Sequence, residues 1–211
     1  MKKIYSYLYS TLKSNKHIIK FLLVVFFLGI VFGSLFLNFI SDNDKIVLTN
    51  NISDFFNNVN KLNKYVLGLD VFKDNLINSL FISTLIFILG LSIIGIVIVI
   101  FIIFYKGFAT GLSISSIILK YKFKGILGAF LYVFPFNIIE ILIFIFLSLY
   151  AVNSSLKFIR AIVKKDNLNF KTFIGKYLLS FIISIFMLTI ISLCKAYILP
   201  FMLKLFTYLI Y

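Results

Sequence analysis

Residues 125–151 read GILGAFLYVFPFNIIEILIFIFLSLYA, an apolar stretch that is long enough to cross a bilayer. Pro135 interrupts it, because proline has no N–H and leaves the carbonyl of Leu131 without its helical partner. Asn137 and Glu140 follow three residues apart, on one face of a helix. A carboxylate at membrane depth costs roughly 2.5–3.5 kcal/mol on insertion scales, so it should face a partner or a polar cavity. The sequence therefore predicts an intramembrane polar site made of Pro135, Asn137 and Glu140.

The composition is that of a membrane protein. The chain has 211 residues, of which 62% are hydrophobic and 13% are charged, and its mean hydropathy is +1.09. Several apolar runs reach the roughly 20 residues that a spanning helix needs, and they lack the alternation of barrel strands. We therefore expect an all-α polytopic integral membrane protein with about five transmembrane helices, plus short or re-entrant segments.

The charge pattern indicates topology and a lipid partner. The net charge is +14, and most of the basic residues lie in short segments between apolar runs. Such residues set orientation and contact anionic headgroups of the lipid bilayer, so nucleic-acid binding is not expected. Residues 1–20 contain lysines and no acidic residue, which predicts a cytoplasmic basic interfacial segment at the N-terminus of a multi-pass cell-membrane protein.

The first transmembrane helix is predicted at 21–40, and residues 41–75 form the one long polar loop. With the N-terminus inside, this loop is predicted to be extracellular. Its apolar residues recur every three to four positions, which indicates an amphipathic helix. The candidate partner-binding residues on that helix are Ile52, Phe55, Phe56, Val59 and Leu62.

Residues 76–211 are predicted to form a membrane bundle. Its apolar segments are 76–104, 107–119 (short or re-entrant), 125–151 (broken by proline), 173–194 and 197–211. Lysine-rich segments on both sides of 125–151 favour the cytoplasm, which one simple crossing cannot satisfy. Either the stretch crosses and one basic segment violates the rule, or it turns back near Pro135 as a re-entrant hairpin. Both alternatives stay open, with the second and larger basic segment kept inside if one must be chosen.

Glycines mark the expected helix contacts, because a residue without a side chain lets another backbone approach closely. Two GxxxG pairs and a glycine-containing bend in the second run supply the candidates. These residues are Gly29, Gly33, Gly90, Gly95, Gly107 and Gly111. Packing within the chain is favoured over dimerisation, and a homo-oligomer remains an alternative.

The chain lacks the residue patterns of an enzyme. It has no HExxH pattern, no glycine-rich phosphate loop and no cluster of metal-ligating residues, and its one histidine, His17, lies outside the apolar runs. No catalytic residue, metal or cofactor is therefore predicted. Glu140 has two interpretations. The favoured one is a structural pair with a lysine such as Lys195 or Lys176; the other is a relay in a transport protein, either a permease subunit or an ion carrier.

Four stretches carry a resemblance to a known family. They are FLGIVFGSLF (27–36), ILGLSIIGIVIVIFIIFYKGFATGLSISSII (88–118), KGILGAFLYVFPFNIIEILIFIFLSLYAVNSSLKFIR (124–160) and AYILPFM (196–202). In order and spacing they resemble the stage II sporulation protein M family. The wider family has a Pro-His-Gly signature followed by a glutamate. This chain keeps Pro135 and Glu140 but has Phe136 and Asn137 between them, and it has Lys195 where an acidic residue would be expected.

The resemblance implies a membrane scaffold with no enzymatic activity of its own. Such a protein gathers sporulation proteins D and P, two peptidoglycan-degrading enzymes, into the complex that thins the septal wall and drives engulfment of the forespore. It also implies a location in the mother-cell or septal membrane. Any role that requires the histidine of the signature does not carry over to this chain.

Overall fold

The computed structural model describes residues 11–61, 64–133, 135–164 and 170–210, which form helices joined by short turns, with no strand among them. Five of the helical segments are long and apolar enough to cross a membrane. They are Lys16–Phe36, Gly68–Leu89, Gly95–Leu131, Asn137–Ala161 and Phe173–Lys204. The prediction of an all-α polytopic membrane protein with about five spans is confirmed.

The chain forms six long helices in the described residues. They are α1 (Lys16–Phe36), α2 (Asp42–Lys61), α3 (Lys64–Leu89), α4 (Gly95–Val133), α5 (Asn137–Lys164) and α6 (Phe170–Ile210). Helix α2 is the polar one and matches the amphipathic helix expected in the loop. Residues 1–10, Leu62 and the side chains of Phe55 and Val59 lie outside the described part of the structure.

Helix α5 is the centre of the bundle. In the most apolar 18-residue stretch of its span 72% of the residues are buried, against 17–33% in the same length of the other four spans. Phe144, Leu147 and Ala151 have almost no exposed surface. The outer helices expose apolar side chains instead; Phe27 and Val31 of α1 are more than half exposed. An apolar exterior around a well-packed centre suits a bundle whose solvent is lipid.

Contacts between helices define two ends of the bundle. At the "α2 end", Phe56 of α2 packs against Leu203 of α6 and lies edge-on to Tyr121 of α4, with ring centroids 5.6 Å apart. At the opposite end, called the "far end", the hydroxyl of Ser155 in α5 bonds to the backbone at Gly90, just after α3. Helices α1 and α6 and the part of α4 before Lys122 run from the far end towards the α2 end, and α3 and α5 run the other way.

The boundaries expected within the second and third apolar runs differ from the structure. The run at 76–104 is divided, since α3 ends at Leu89 and α4 begins at Gly95. Conversely, 107–119 is not a separate short or re-entrant segment, because α4 continues without a break through Lys106. Lys106 is therefore inside a spanning helix instead of marking the end of one.

Side chains from two other helices donate hydrogen bonds to backbone carbonyls at the break between α3 and α4. The hydroxyl of Ser155 donates to the carbonyls of Gly90, at 3.2 Å, and Ser92, at 2.8 Å. The hydroxyl of Tyr177 donates to the carbonyl of Phe87 at 2.9 Å. The last carbonyls of a helix have no partner within it, and in the membrane each needs one. These contacts supply partners at the break.

The chain reverses at Lys122, where φ is 52° and ψ is −128°. Beyond this residue the second part of α4 folds back along the first, so that Gly125 lies against Ile117 and Ile118. After the interruption at Pro135, α5 continues in the same direction towards the far end. The stretch 125–151 therefore does not turn back at its proline, and the two basic segments that flank it lie at opposite ends of the bundle.

The reversal gives a prediction about stability. A lysine at positive φ stores of the order of 1–3 kcal/mol of strain that glycine would not carry. Lys122→Gly is therefore expected to raise the free energy of unfolding by about 1 kcal/mol, measured by denaturation in detergent. Lys120→Gly is the control, because glycine within the regular part of α4 should cost about 1 kcal/mol. If Lys122→Gly and Lys120→Gly lower the free energy of unfolding equally, the assignment of strain to Lys122 is contradicted.

Candidate functional site

Glu140 lies in the first turn of α5, and only 8% of it is exposed. Three neighbouring helices supply its partners. The hydroxyl of Ser79 in α3 donates to Oε1 at 3.2 Å, and Nζ of Lys195 in α6 bonds to Oε2. Nζ of Lys106 in α4 lies 3.6 Å from Oε1. One carboxylate therefore joins four of the five spans, which places it where it can fix the arrangement of the bundle.

The cluster of Glu140, Lys106 and Lys195, called here the "ionic cluster", is not electrically balanced. Two ammonium groups face one carboxylate, and Lys195 is only 6% exposed. Nζ of Lys106 also lies 5.0 Å from the centre of the Phe144 ring, a cation–π contact that stabilises the second charge. Burying these groups is costly unless each has partners, so both ammonium groups depend on the Glu140 carboxylate.

A polar cavity of about 180 Å³ adjoins the ionic cluster. Uncharged polar side chains from three spans line it together with the cluster. They are Asn75 and Asn78 of α3, Thr110 and Ser113 of α4, and Asn137 of α5. Amide and hydroxyl groups of this kind both donate and accept hydrogen bonds, so the cavity suits a polar occupant.

The proline break directs the start of α5 towards this cavity. Helix α4 ends at Val133, Pro135 and Phe136 form a turn, and α5 begins at Asn137. The N–H of Glu140 donates to the carbonyl of Phe136 at 2.9 Å. The positive end of the α5 dipole therefore lies at the cavity, next to the carboxylate of its own first turn.

The structure thus places the three residues of the predicted intramembrane site together and adds others. Lys195, one of the two lysines suggested as a partner, does pair with Glu140. Lys176 does not, since it is exposed and precedes Tyr177 at the far end. Lys106 was missed. No local pattern identifies it, because α4 continues past Lys106 where Gly107 and Gly111 pack against α1.

The predicted packing glycines lie at helix contacts within the chain. Gly29 and Gly33 of α1 face the backbone of α4, and Gly107 and Gly111 of α4 face the backbone of α1. The hydroxyl of Ser34 adds a 3.4 Å bond to the carbonyl of Gly111. Gly90 and Gly95 instead lie at the two ends of the break between α3 and α4. There, an added Cβ would overlap Ala151 and the α3 backbone, respectively.

The candidate partner-binding residues on α2 do not share one environment. Phe56 is 2% exposed and Ile52 is partly buried, because the apolar face of α2 packs on the bundle itself. They anchor the helix. Other apolar residues of α2 and of the turn before it are exposed. They are Phe39, Ile46 and Val47, whose exposed fractions are 83%, 56% and 57%. These three residues are called the "α2 patch".

The described ranges contain no group of three or more His, Cys, Asp or Glu residues placed to hold a metal ion. Acidic residues at the α2 end, such as Asp42, instead make local contacts; its carboxylate accepts a 3.0 Å bond from Lys45.

Comparison with known proteins gives one result. No curated protein and no solved structure matches the chain significantly. The family model of stage II sporulation protein M matches residues 22–200, which extend from the first span to the proline of α6 and include the whole ionic cluster. A match over most of the chain shows the family, so this sporulation-related multi-pass membrane protein belongs to the stage II sporulation protein M family.

Proposed function

We propose that this protein is the membrane scaffold of the sporulation engulfment complex. In this role it recruits sporulation proteins D and P, and the wall chemistry that thins the septum belongs to those partners. The observation that carries the proposal is the placement of α2, a polar helix outside the spans that presents an exposed apolar patch. Membership of the family supports the sporulation context.

The anchoring of α2 suits a docking element. Phe56 is enclosed by the bundle, so the helix cannot rotate freely and the α2 patch has a fixed direction. The hydroxyl of Ser41 caps the start of the helix by accepting from the N–H of Asp44 at 3.2 Å, and it donates to the Asp44 carboxylate at 2.6 Å. A partner that meets a preorganised surface loses less conformational entropy on binding than one that meets a mobile loop.

We place the α2 end outside the cell and the N-terminus in the cytoplasm. Lys16 and Lys20 of α1 lie at the far end, as do Lys157 and Arg160 of α5, and basic residues favour the cytoplasmic side. Peptidoglycan lies outside, so enzymes that act on it would meet α2. Labelling of single cysteines at positions 122 and 157 in a Cys194→Ser background reports the orientation.

The docking proposal gives a direct prediction. The double variant Ile46→Asn/Val47→Asn is expected to reduce co-purification of proteins D and P by at least about tenfold, since an apolar anchor at the centre of an interface contributes about 2 kcal/mol or more. Insertion and thermal stability of the protein itself should stay unchanged, because both side chains are exposed.

The matched control is Asn50→Ala/Asp54→Ala, which changes two exposed polar residues of the same helix and should retain both partners. Phe56→Asn provides a contrast, since it should lower thermal stability by opening the buried anchor. Full retention of both partners by the Ile46/Val47 double variant, in a normally inserted protein, would refute docking at the α2 patch.

Transport through the bundle is the second candidate, and the polar cavity beside Glu140 favours it. Broken helices whose ends meet a polar site near the midplane are typical of transporters. Against it, both carboxylate oxygens of Glu140 already have partners, which suits a structural role. The test is proton or ion flux into proteoliposomes of the purified chain. A flux above that of protein-free vesicles would favour transport over the scaffold role.

A further inference from the structure

The ionic cluster carries one positive charge more than its own side chains balance. In the part of the chain that the structure describes, Glu140 is the one acidic residue that pairs with Lys106 and Lys195, and the polar groups that complete the cavity wall are neutral amides and hydroxyls. An uncompensated charge in a low-dielectric site is costly and attracts an anion strongly. The cavity next to the cluster, of about 180 Å³, has room for one.

The cavity wall favours an oxyanion. The amides of Asn75, Asn78 and Asn137 offer several hydrogen-bond donors around one space, even though one N–H of Asn75 donates to the carbonyl of Val71. The hydroxyls of Thr110 and Ser113 already donate to carbonyls of α4 and can only accept. The first turn of α5 adds the positive end of a helix dipole. An anion with several acceptor oxygens uses such an arrangement better than a halide does, because each oxygen accepts its own hydrogen bonds.

Exposed residues of α3 border the cavity. Asn78, which lines the cavity, is exposed, and on the same helix Ile77 and Phe81 are 65% and 64% exposed. About one turn nearer the α2 end, Lys73 and Asp74 are exposed charges, which suit the level of the headgroups. A phosphate group at the membrane surface thus lies within reach of the cavity.

We infer that this cavity binds a phosphate group, and that its source is the phosphodiester of an anionic phospholipid held between α3, α4 and α5. The phosphate oxygens accept hydrogen bonds from the asparagine amides, and its charge balances the second ammonium of the ionic cluster. The lipid is then a bound structural component of the bundle. Its binding does not depend on the docking role of α2.

The test uses the purified full chain in a neutral detergent, with thermal unfolding followed as phosphatidylglycerol is added. A ligand that binds only the folded state raises Tm in proportion to the logarithm of its concentration. Phosphatidylglycerol is expected to raise Tm progressively, and phosphatidylcholine, whose phosphate is already paired with a cation, is expected to raise it much less.

Two lysine variants provide a matched comparison. Lys106 lies 5.0 Å from the ring centre of Phe144, and Lys157, at the far end, lies 5.1 Å from that of Phe173. Lys106→Met should lose most of the shift caused by phosphatidylglycerol, whereas Lys157→Met should keep it. Each variant removes one charge beside one aromatic ring, but Lys106 lies next to Glu140 and the cavity, whereas Lys157 is exposed.

The remaining outcomes show whether the bound phosphate comes from a lipid or from solution, and whether the cavity binds phosphate at all. If inorganic phosphate raises Tm in the same Lys106-dependent way while phosphatidylglycerol does not, the phosphate site stands and its source is soluble. If neither raises Tm, or if both lysine variants respond like the unchanged protein, the inference is refuted. Should Lys106→Met fail to fold, Asn78→Ala at the exposed border of the cavity takes its place, and native mass spectrometry should then show fewer bound phosphatidylglycerol molecules.

Discussion

Glu140→Gln is expected to lower the free energy of unfolding by about 3–5 kcal/mol. The glutamine keeps the size of the side chain and its ability to accept from Ser79. It removes the carboxylate that, among the described residues, pairs with both Lys106 and Lys195, and so leaves two buried ammonium groups against each other. Denaturation in detergent, with the yield of folded protein in membranes as a second measure, provides the test.

A double-mutant cycle separates the ion pair from other effects of the substitution. Lys106→Met should cost little, because the contact between Glu140 and Lys195 survives it. Combining Glu140→Gln with Lys195→Met should cost clearly less than the sum of the two single changes, as expected for residues in direct contact. If Glu140→Gln costs less than about 1 kcal/mol, or if the cycle shows no coupling, the ionic cluster does not stabilise the bundle.

Gly29→Leu is expected to cost about 3 kcal/mol and to loosen α1 from the rest of the bundle. An added Cβ would overlap the carbonyl oxygen of Phe104 and lie against the backbone of Phe108, neither of which can rotate away. Thermal unfolding would report the loss of stability, and increased protease cleavage near α1 would report the separation.

Gly175→Leu is the matched control for this substitution. It makes the same chemical change within a helix, but nothing lies within 4 Å of the added Cβ. It should therefore be neutral or stabilising by up to about 1 kcal/mol, because leucine favours helix more than glycine does. A Gly29→Leu protein as stable as the Gly175→Leu protein would show that α1 does not depend on close contact with α4.

The parts of the fold that follow from local pattern could be predicted from the sequence. Long apolar runs define spans whatever their neighbours are, and the three-to-four spacing at 41–75 predicted a helix where α2 is found. Pro135 marked a break because proline acts on its own backbone. In each case the cause and its effect lie within a few residues of each other.

Features that depend on tertiary contacts were harder to predict. The sequence pattern places Lys106 between two apolar segments, whereas in the structure α4 continues through it, with Gly107 and Gly111 packed against α1. The reversal at Lys122 has no sequence signal, since nothing about a lysine indicates a positive φ. The apolar face of α2 was interpreted as a partner surface, but the bundle itself covers Phe56, and sequence spacing does not identify what covers an apolar face.

The bonds at the break between α3 and α4 have a consequence for the order of biogenesis. The carbonyls of Gly90 and Phe87 receive their donors from Ser155 and Tyr177, which lie 65 and 90 residues later in the chain. While ribosomes are still synthesising those later residues, the turn has no side-chain donors from them and must bond to water or to the insertion machinery. The turn between the second and third spans therefore reaches its final geometry only after α5 and the start of α6 have been inserted.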